Sequence, residues 1–154
     1  MNDQDFMKIV VTKGKQRLAA KELPLISLMV KDNLIIAEGH GTPEPSGHND
    51  LNCINHAAKK LNTLDLSDCT LYTTIEPCSM CLAAASWAGL NRVVFGAFQK
   101  DVSKNKYEIS DYHAIEHAQK LIPTNGKKME VIGGILQTEC TELMKNVKGW
   151  VLSK

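Results

Sequence analysis

Along the chain, apolar positions alternate between helical and extended spacing. Met7, Val10, Val11, Gly14 and Leu18 recur three and four residues apart, which predicts an amphipathic helix over 4–20. Pro24 ends that pattern. Leu25–Val30 and Leu34–Ala37 are short apolar runs parted by Lys31-Asp32-Asn33, the pattern of a hairpin. Residues 39–47 are Gly, Pro, Thr and Ser-rich and read as loop. Leu51, Ile54, Ala58 and Leu61 then form a stripe that predicts a helix from 48 to 62.

Thr70–Ile75 is rich in β-formers and reads as a strand running into Glu76-Pro77-Cys78-Ser79-Met80-Cys81. An Ala-rich helix over 82–88 follows, stopped by Gly89. Arg92–Phe95 reads as another strand, and residues 99–109 as polar and irregular. Tyr112, Ile115, Ala118 and Ile122 mark a further helix that Pro123 stops. Glu130–Ile132 is a candidate strand, and Leu136, Cys140, Leu143 and Val147 mark a last helix. The order α-β-β-α-β-α-β-α-β-α predicts an α/β fold with helices on both faces of one mixed sheet. No repeat or low-complexity linker divides the 154 residues, so a single domain over 1–154 is expected.

Composition narrows the function classes. Apolar residues make up 44% and charged residues 23%, an ordinary globular balance. No apolar run approaches the ~20 residues that span a bilayer, so no membrane partner is expected. With 18 Lys+Arg against 17 Asp+Glu, the net charge of +1 offers no broad platform for nucleic acid. The polar, acidic start Met-Asn-Asp-Gln-Asp is unlike a secretory signal, and five cysteines is an odd number. Both observations point to a cytoplasmic chain with reduced thiols, some of them available to a metal.

The sharpest chemical signal is Pro77-Cys78-Ser79-Met80-Cys81. Two thiols three residues apart at a strand-to-helix junction face a helix N-terminus, whose N–H groups and dipole favour the thiolate that zinc binds. Taken alone, the pair also fits a redox motif or two core cysteines. The second signal is His48-Asn49-Asp50 at a helix start. His48 would supply a neutral third ligand, leaving a fourth position for water as in catalytic zinc sites. Asp50, two residues on, would reach that water as a proton carrier. The competing reading is that Ser46 or Asn49 caps the helix while Asp50 complements its dipole.

Together, the two elements resemble the His-x-Glu and Pro-Cys-x-x-Cys signature of zinc deaminases, with Asp50 in place of the Glu. The chain resembles the cytidine-deaminase-like superfamily, within it the branch of guanine deaminases and tRNA adenosine deaminases. Leu71–Cys81 is similar to that branch's metal segment, and Arg92–Ala97 to its following strand. Pro45-Ser46-Gly47-His48 is similar to its turn into the first metal helix. Gly134-Ile135-Leu136 with Glu139-Cys140 is similar to the opening of its last helix. The likeness runs over about 6–147.

The resemblance implies a three-layer α/β/α sandwich around a five-stranded mixed sheet, in a homodimer. It implies one Zn2+ per chain on His48, Cys78 and Cys81 with a water as fourth ligand. It further implies hydrolytic removal of an exocyclic amino group, as ammonia, from a small purine-like base or nucleoside, guanine being the nearest suggestion. Deamination of adenosine in tRNA is the alternative, ranked lower on charge.

Three features depart from the pattern. Asp50 stands where the family has Glu; it is shorter by about 1.5 Å, a shift that can cost on the order of 100-fold in rate. A weakly active or inactive deaminase-fold subunit is therefore a second alternative. Glu76 reads as a buried structural carboxylate rather than a replacement acid. Next, the substrate-binding Asn expected after Gly39 is missing; His40 is a candidate for base recognition or an exposed loop residue. Last, an insertion over 99–123 carries His113-Ala114-Ile115-Glu116-His117, whose His-x-x-Glu-His string is too short and isolated to be a protease site. The insertion reads first as a solvated or dimer-facing helix. Its second reading is a cover bringing Tyr107, Tyr112 or His113 to the substrate. The substrate-contact candidates are thus His40, Pro77, Tyr107 and His113. Cys53, Cys69 and Cys140 are expected in the core.

Overall fold

The structure, a computed structural model, describes residues 1–102, 112–145 and 147. Helix α1 (Asp3–Ala19) opens on an Asn2 cap whose side chain accepts from Asp5 N, while Asp5 bonds back to the Asn2 N–H. Strands β1 (Ile26–Lys31) and β2 (Leu34–His40) form the hairpin, with Asp32 and Asn33 both at positive φ in the turn. Asp and Asn tolerate that region better than most residues, which is why this pair makes a tight turn without glycine. Then come α2 (Asn49–Leu61), β3 (Thr70–Ile75), α3 (Ser79–Trp87), β4 (Arg92–Ala97), α4 (Gln99–Val102), α5 (Ala114–Ala118), β5 (Glu130–Ile132) and α6 (Gln137–Lys145).

The sheet order is β2-β1-β3-β4-β5. β1 is antiparallel to β2 and to β3, whereas β3–β4 and β4–β5 are parallel. The sheet is mixed and five-stranded, as expected. Alternation along the central strands separates two apolar layers. Met29, Leu71, Val93 and Phe95 pack with Cys53, Ile54 and Ala57 of α2, Leu82 and Ala85 of α3, and Ala114 and Ala118 of α5. Leu28, Val30, Tyr72 and Val94 pack with Phe6, Met7, Val10 and Val11 of α1 and Cys140 and Met144 of α6. Cys53, Cys69 and Cys140 are buried as expected, and burial raises all three thiols, Cys140 to about 12.

Two glycines permit close approach. A Cβ on Gly39 would strike the Asn49 carbonyl and the Cys53 backbone, so glycine lets the start of α2 lie directly on β2. A Cβ on Gly96 would strike Cys140, where α6 crosses β4.

Some boundaries differ from the sequence pattern. β2 runs on to His40 and β4 to Ala97, because ladder partners carry each strand past its apolar run. α3 starts at Ser79, ahead of the Ala-rich stretch. Residues 99–102 are helical rather than irregular, and the helix expected through Ile122 is confined to Ala114–Ala118. Glu76 anchors both starts, as described below. No helix among the described residues is long and apolar enough to cross a membrane.

Candidate metal and active site

β3 ends at Ile75, and Glu76-Pro77 carries the chain into Cys78, the N-cap of α3. His48 is the N-cap of α2. Both residues are extended (ψ 143° and 170°), and neither side chain caps its own helix. Two helix starts therefore turn a His and a Cys toward one point, and Cys81 joins from the first turn of α3. His48 Nδ1 lies 3.3 Å from Cys78 Sγ and 3.5 Å from Cys81 Sγ. The three ligand atoms all fall within 4.8 Å of one another.

A tetrahedral zinc with Zn–S near 2.3 Å and Zn–N near 2.0–2.1 Å sets N and S roughly 3.6 Å apart. The residues present fit that geometry. The thiols also carry the right electrostatics. Cys81 and His48 hydrogen-bond to Cys78 and lower its pKa, favouring the thiolate; Cys81, as the donor, holds its proton more tightly. A cation between them releases that proton.

Asp50 lies in the first turn of α2 and is only 4% exposed. Its Oδ1 accepts from Ser27 Oγ of β1 at 2.5 Å and from Asn49 Nδ2 at 3.0 Å. The Asn49 amide also lies 2.7 Å from Ser27 Oγ and 3.1 Å from Thr73 Oγ1 of β3. Ser27 and Thr73 face each other in the ladder, their hydroxyls 3.2 Å apart. Neither Asn49 nor Ser46 caps α2, so the capping reading gives way to a buried polar cluster under the helix start. Burial pushes the Asp50 carboxyl up to about 6, against the lowering effect of its bonds to Ser27 and Thr73.

Glu76 is buried. Its Oε1 accepts from Ala114 N at 2.7 Å and its Oε2 from Gln99 N at 3.0 Å, while Gln99 Nε2 donates to the Glu76 carbonyl at 3.1 Å. This agrees with its reading as a structural carboxylate.

The structure brings His48, Cys78, Cys81 and Asp50 into one corner. Pro77 is buried beside Cys78. His40 is exposed at the end of β2, and its carbonyl accepts from Asn52 Nδ2 of α2 at 2.9 Å. His113 is the exposed N-cap of α5, which starts on the Glu76 bond. Tyr107 lies outside the described residues. Sequence reasoning missed Ser27 and Thr73. Their signal was available: a hydroxyl inside an otherwise apolar buried strand needs a polar partner.

The sequence profile of the MafB19-like deaminases matches residues 1–139. The chain belongs to this deaminase family. Among its relatives, the Bacillus subtilis tRNA-specific adenosine deaminase is 30% identical over 95% of this chain and 93% of that protein. The Bacillus subtilis guanine deaminase is 36% identical over 71% of this chain and 74% of that protein. The solved guanine deaminase from Nitrosomonas europaea superposes with a TM-score of 0.75 over 90% of this chain and 80% of that one, at 24% identity, a likeness of fold. The protein is thus a deaminase of the guanine deaminase and tRNA adenosine deaminase kind, with the cytidine-deaminase-like α/β fold. Its His/Cys/Cys group sits where two helix starts of that fold meet.

Proposed function

We propose that this MafB19-like deaminase is a zinc-dependent aminohydrolase that removes an exocyclic amino group, as ammonia, from a small purine-like base or nucleoside of the guanine class. His48, Cys78 and Cys81 would hold one zinc, which supplies a polarised water at neutral pH. Asp50 is the proton carrier. Its carboxylate would pass one proton of the water to the ring nitrogen beside the amino-bearing carbon and then the second to the amine that leaves. Cys78 and Cys81 anchor the metal rather than attack the substrate. His40, Pro77 and His113, with Tyr107 from the same insertion, are the proposed substrate contacts.

The observation that carries the small-substrate reading is charge placement. Residues 32–58 and 61–91, which supply the ligands, Asp50 and Glu76, contain no Lys or Arg. They contain Asp32, Glu38, Glu44, Asp65 and Asp68 besides. A tRNA needs Lys and Arg against its phosphates, whereas a neutral base does not. The test is ammonia release from amino-purines, amino-pyrimidines, pterins and triazines, beside inosine formation in tRNA. Turnover of guanine-class bases supports the reading. Inosine formation together with a steep salt dependence of tRNA affinity reverses it. A protein that holds about one zinc per chain yet releases no ammonia from any of them belongs to the third reading, a deaminase-fold subunit without activity.

A further inference from the structure

Asp50 is shorter than the acid this site resembles, and the residues packed around it account for that. Its Oδ1 does not hang in the site. It is the end point of a hydrogen-bond chain in which the Asn49 amide donates to Ser27 Oγ and Ser27 Oγ donates to Asp50, with the Thr73 hydroxyl closing the cluster from the next strand. Ser27 and Thr73 are fully buried, and Asn49 and Asp50 are nearly so. A side chain longer by one methylene would carry its carboxylate about 1.5 Å further, toward the buried Ser27 and Thr73 of two strands. If it turned outward instead, Ser27 and Asn49 would lose their charged acceptor and keep only the neutral oxygens of the cluster.

We propose that Ser27 and Asn49 are positioning residues which adapt this site to an aspartate, fixing one carboxylate oxygen so that the other faces the metal corner. A long flexible acid reaches its proton by length. Here a short acid is held by two donors from β1 and from its own helix turn, and reach is replaced by preorganisation. The Asp at position 50 is then a matched part, not a decayed one. Ser27 and Asn49 touch neither metal nor substrate in this assignment; they act through Asp50.

This inference rests on Asp50 as the proton carrier. The test compares Ser27→Ala, Asn49→Ala and Ser27→Thr, each in the wild type and in an Asp50→Glu background, with zinc content measured on every protein. Ser27→Ala and Asn49→Ala are expected to lower kcat roughly ten- to hundredfold while KM stays within about threefold and zinc stays near one per chain. Ser27→Thr, which keeps the hydroxyl, recovers most of the rate. Asp50→Glu is expected to be slower than wild type, and adding Ser27→Ala to it changes kcat by less than about twofold, because the longer acid no longer leans on Ser27. Equal losses in both backgrounds, a KM effect without a kcat effect, or an Asp50→Glu enzyme faster than wild type would overturn the assignment. Should Ser27→Ala fail to fold, Asn49→Ala, whose change lies at the first turn of α2 rather than in the central strand, carries the same comparison. A wild type with no activity on any substrate sinks the deaminase reading instead, and the two failures are thereby told apart.

Discussion

Replacing Glu76 by Gln should loosen the insertion while leaving the metal corner intact. Both carboxylate oxygens of Glu76 are acceptors, one for Ala114 N and one for Gln99 N. Gln keeps one acceptor and sets an NH2 donor against the other N–H. One bond is lost, and the survivor no longer has a charged acceptor. A hydrogen bond to a charged group contributes about 1.5–3 kcal/mol, and a neutral one about 1, so the substitution should cost roughly 2–4 kcal/mol. The cost is uneven. Ala114 is fully buried, so water does not replace the missing bond there, whereas Gln99 is half-exposed and recovers part of it from solvent. The assay is urea unfolding combined with amide hydrogen exchange. The midpoint should fall, and exchange at Ala114 should speed up by at least about tenfold, more than at Gln99. Zinc content should not change. A midpoint within about 0.5 kcal/mol of wild type, or faster exchange spread evenly over the sheet, would refute the view that this carboxylate pins the two helix starts.

Other outcomes follow from the same structure. Cys78→Ser and His48→Ala should each abolish stoichiometric zinc by elemental analysis, and chelation of the wild type should lower Tm, since a ligand bound only to the folded state stabilises it; a metal-free wild type with unchanged Tm would remove the metal assignment. Arg92 bonds Asp3 through two nitrogens (2.7 and 2.6 Å), and those bonds hold the Asp3 carboxyl below its ordinary 3.8. The folded state therefore takes this proton less readily than the unfolded one, so the contribution, about 1 kcal/mol for a partly exposed pair, is complete above the ordinary carboxylate range and fades as pH falls below 3.8 through the lowered value. Urea unfolding of wild type against Asp3→Asn should differ at pH 7 and converge near pH 2–3; a gap that persists at low pH would contradict the pairing. The outer face of α3 presents Met80, Ala83 and Trp87 without a charge, Trp87 being 78% exposed beside Ile122 at 88%. An apolar face on a helix this uncharged fits the homodimer implied by the family, so sedimentation should give a dimer and Trp87→Glu a monomer. A wild-type monomer at micromolar concentration would end that expectation.

Much of this protein is written locally. The stripes of α1 and α2, the β-rich Thr70–Ile75 and the spacing of Cys78 and Cys81 are short-range patterns, and each gave its element or its juxtaposed thiols because helix and strand periodicity are properties of neighbouring residues. The link between His48 and the thiols, thirty residues apart, was legible through a known signature rather than through physics, because nothing local says which helix starts converge.

Tertiary structure decided the rest. The function of Ser27 depends on the register that sets it opposite Thr73 and under the first turn of α2, and a strand's alternation alone assigns only its face. The start of α5 at Ala114 follows from a carboxylate thirty-eight residues away that claims its N–H. The ends of β2 and β4 follow from ladder partners rather than from their own residues. In sequence, Asp50 is a family glutamate missing one methylene. In the fold it is an acid enclosed by three polar side chains, because desolvation and hydrogen bonding act between elements that only packing brings together.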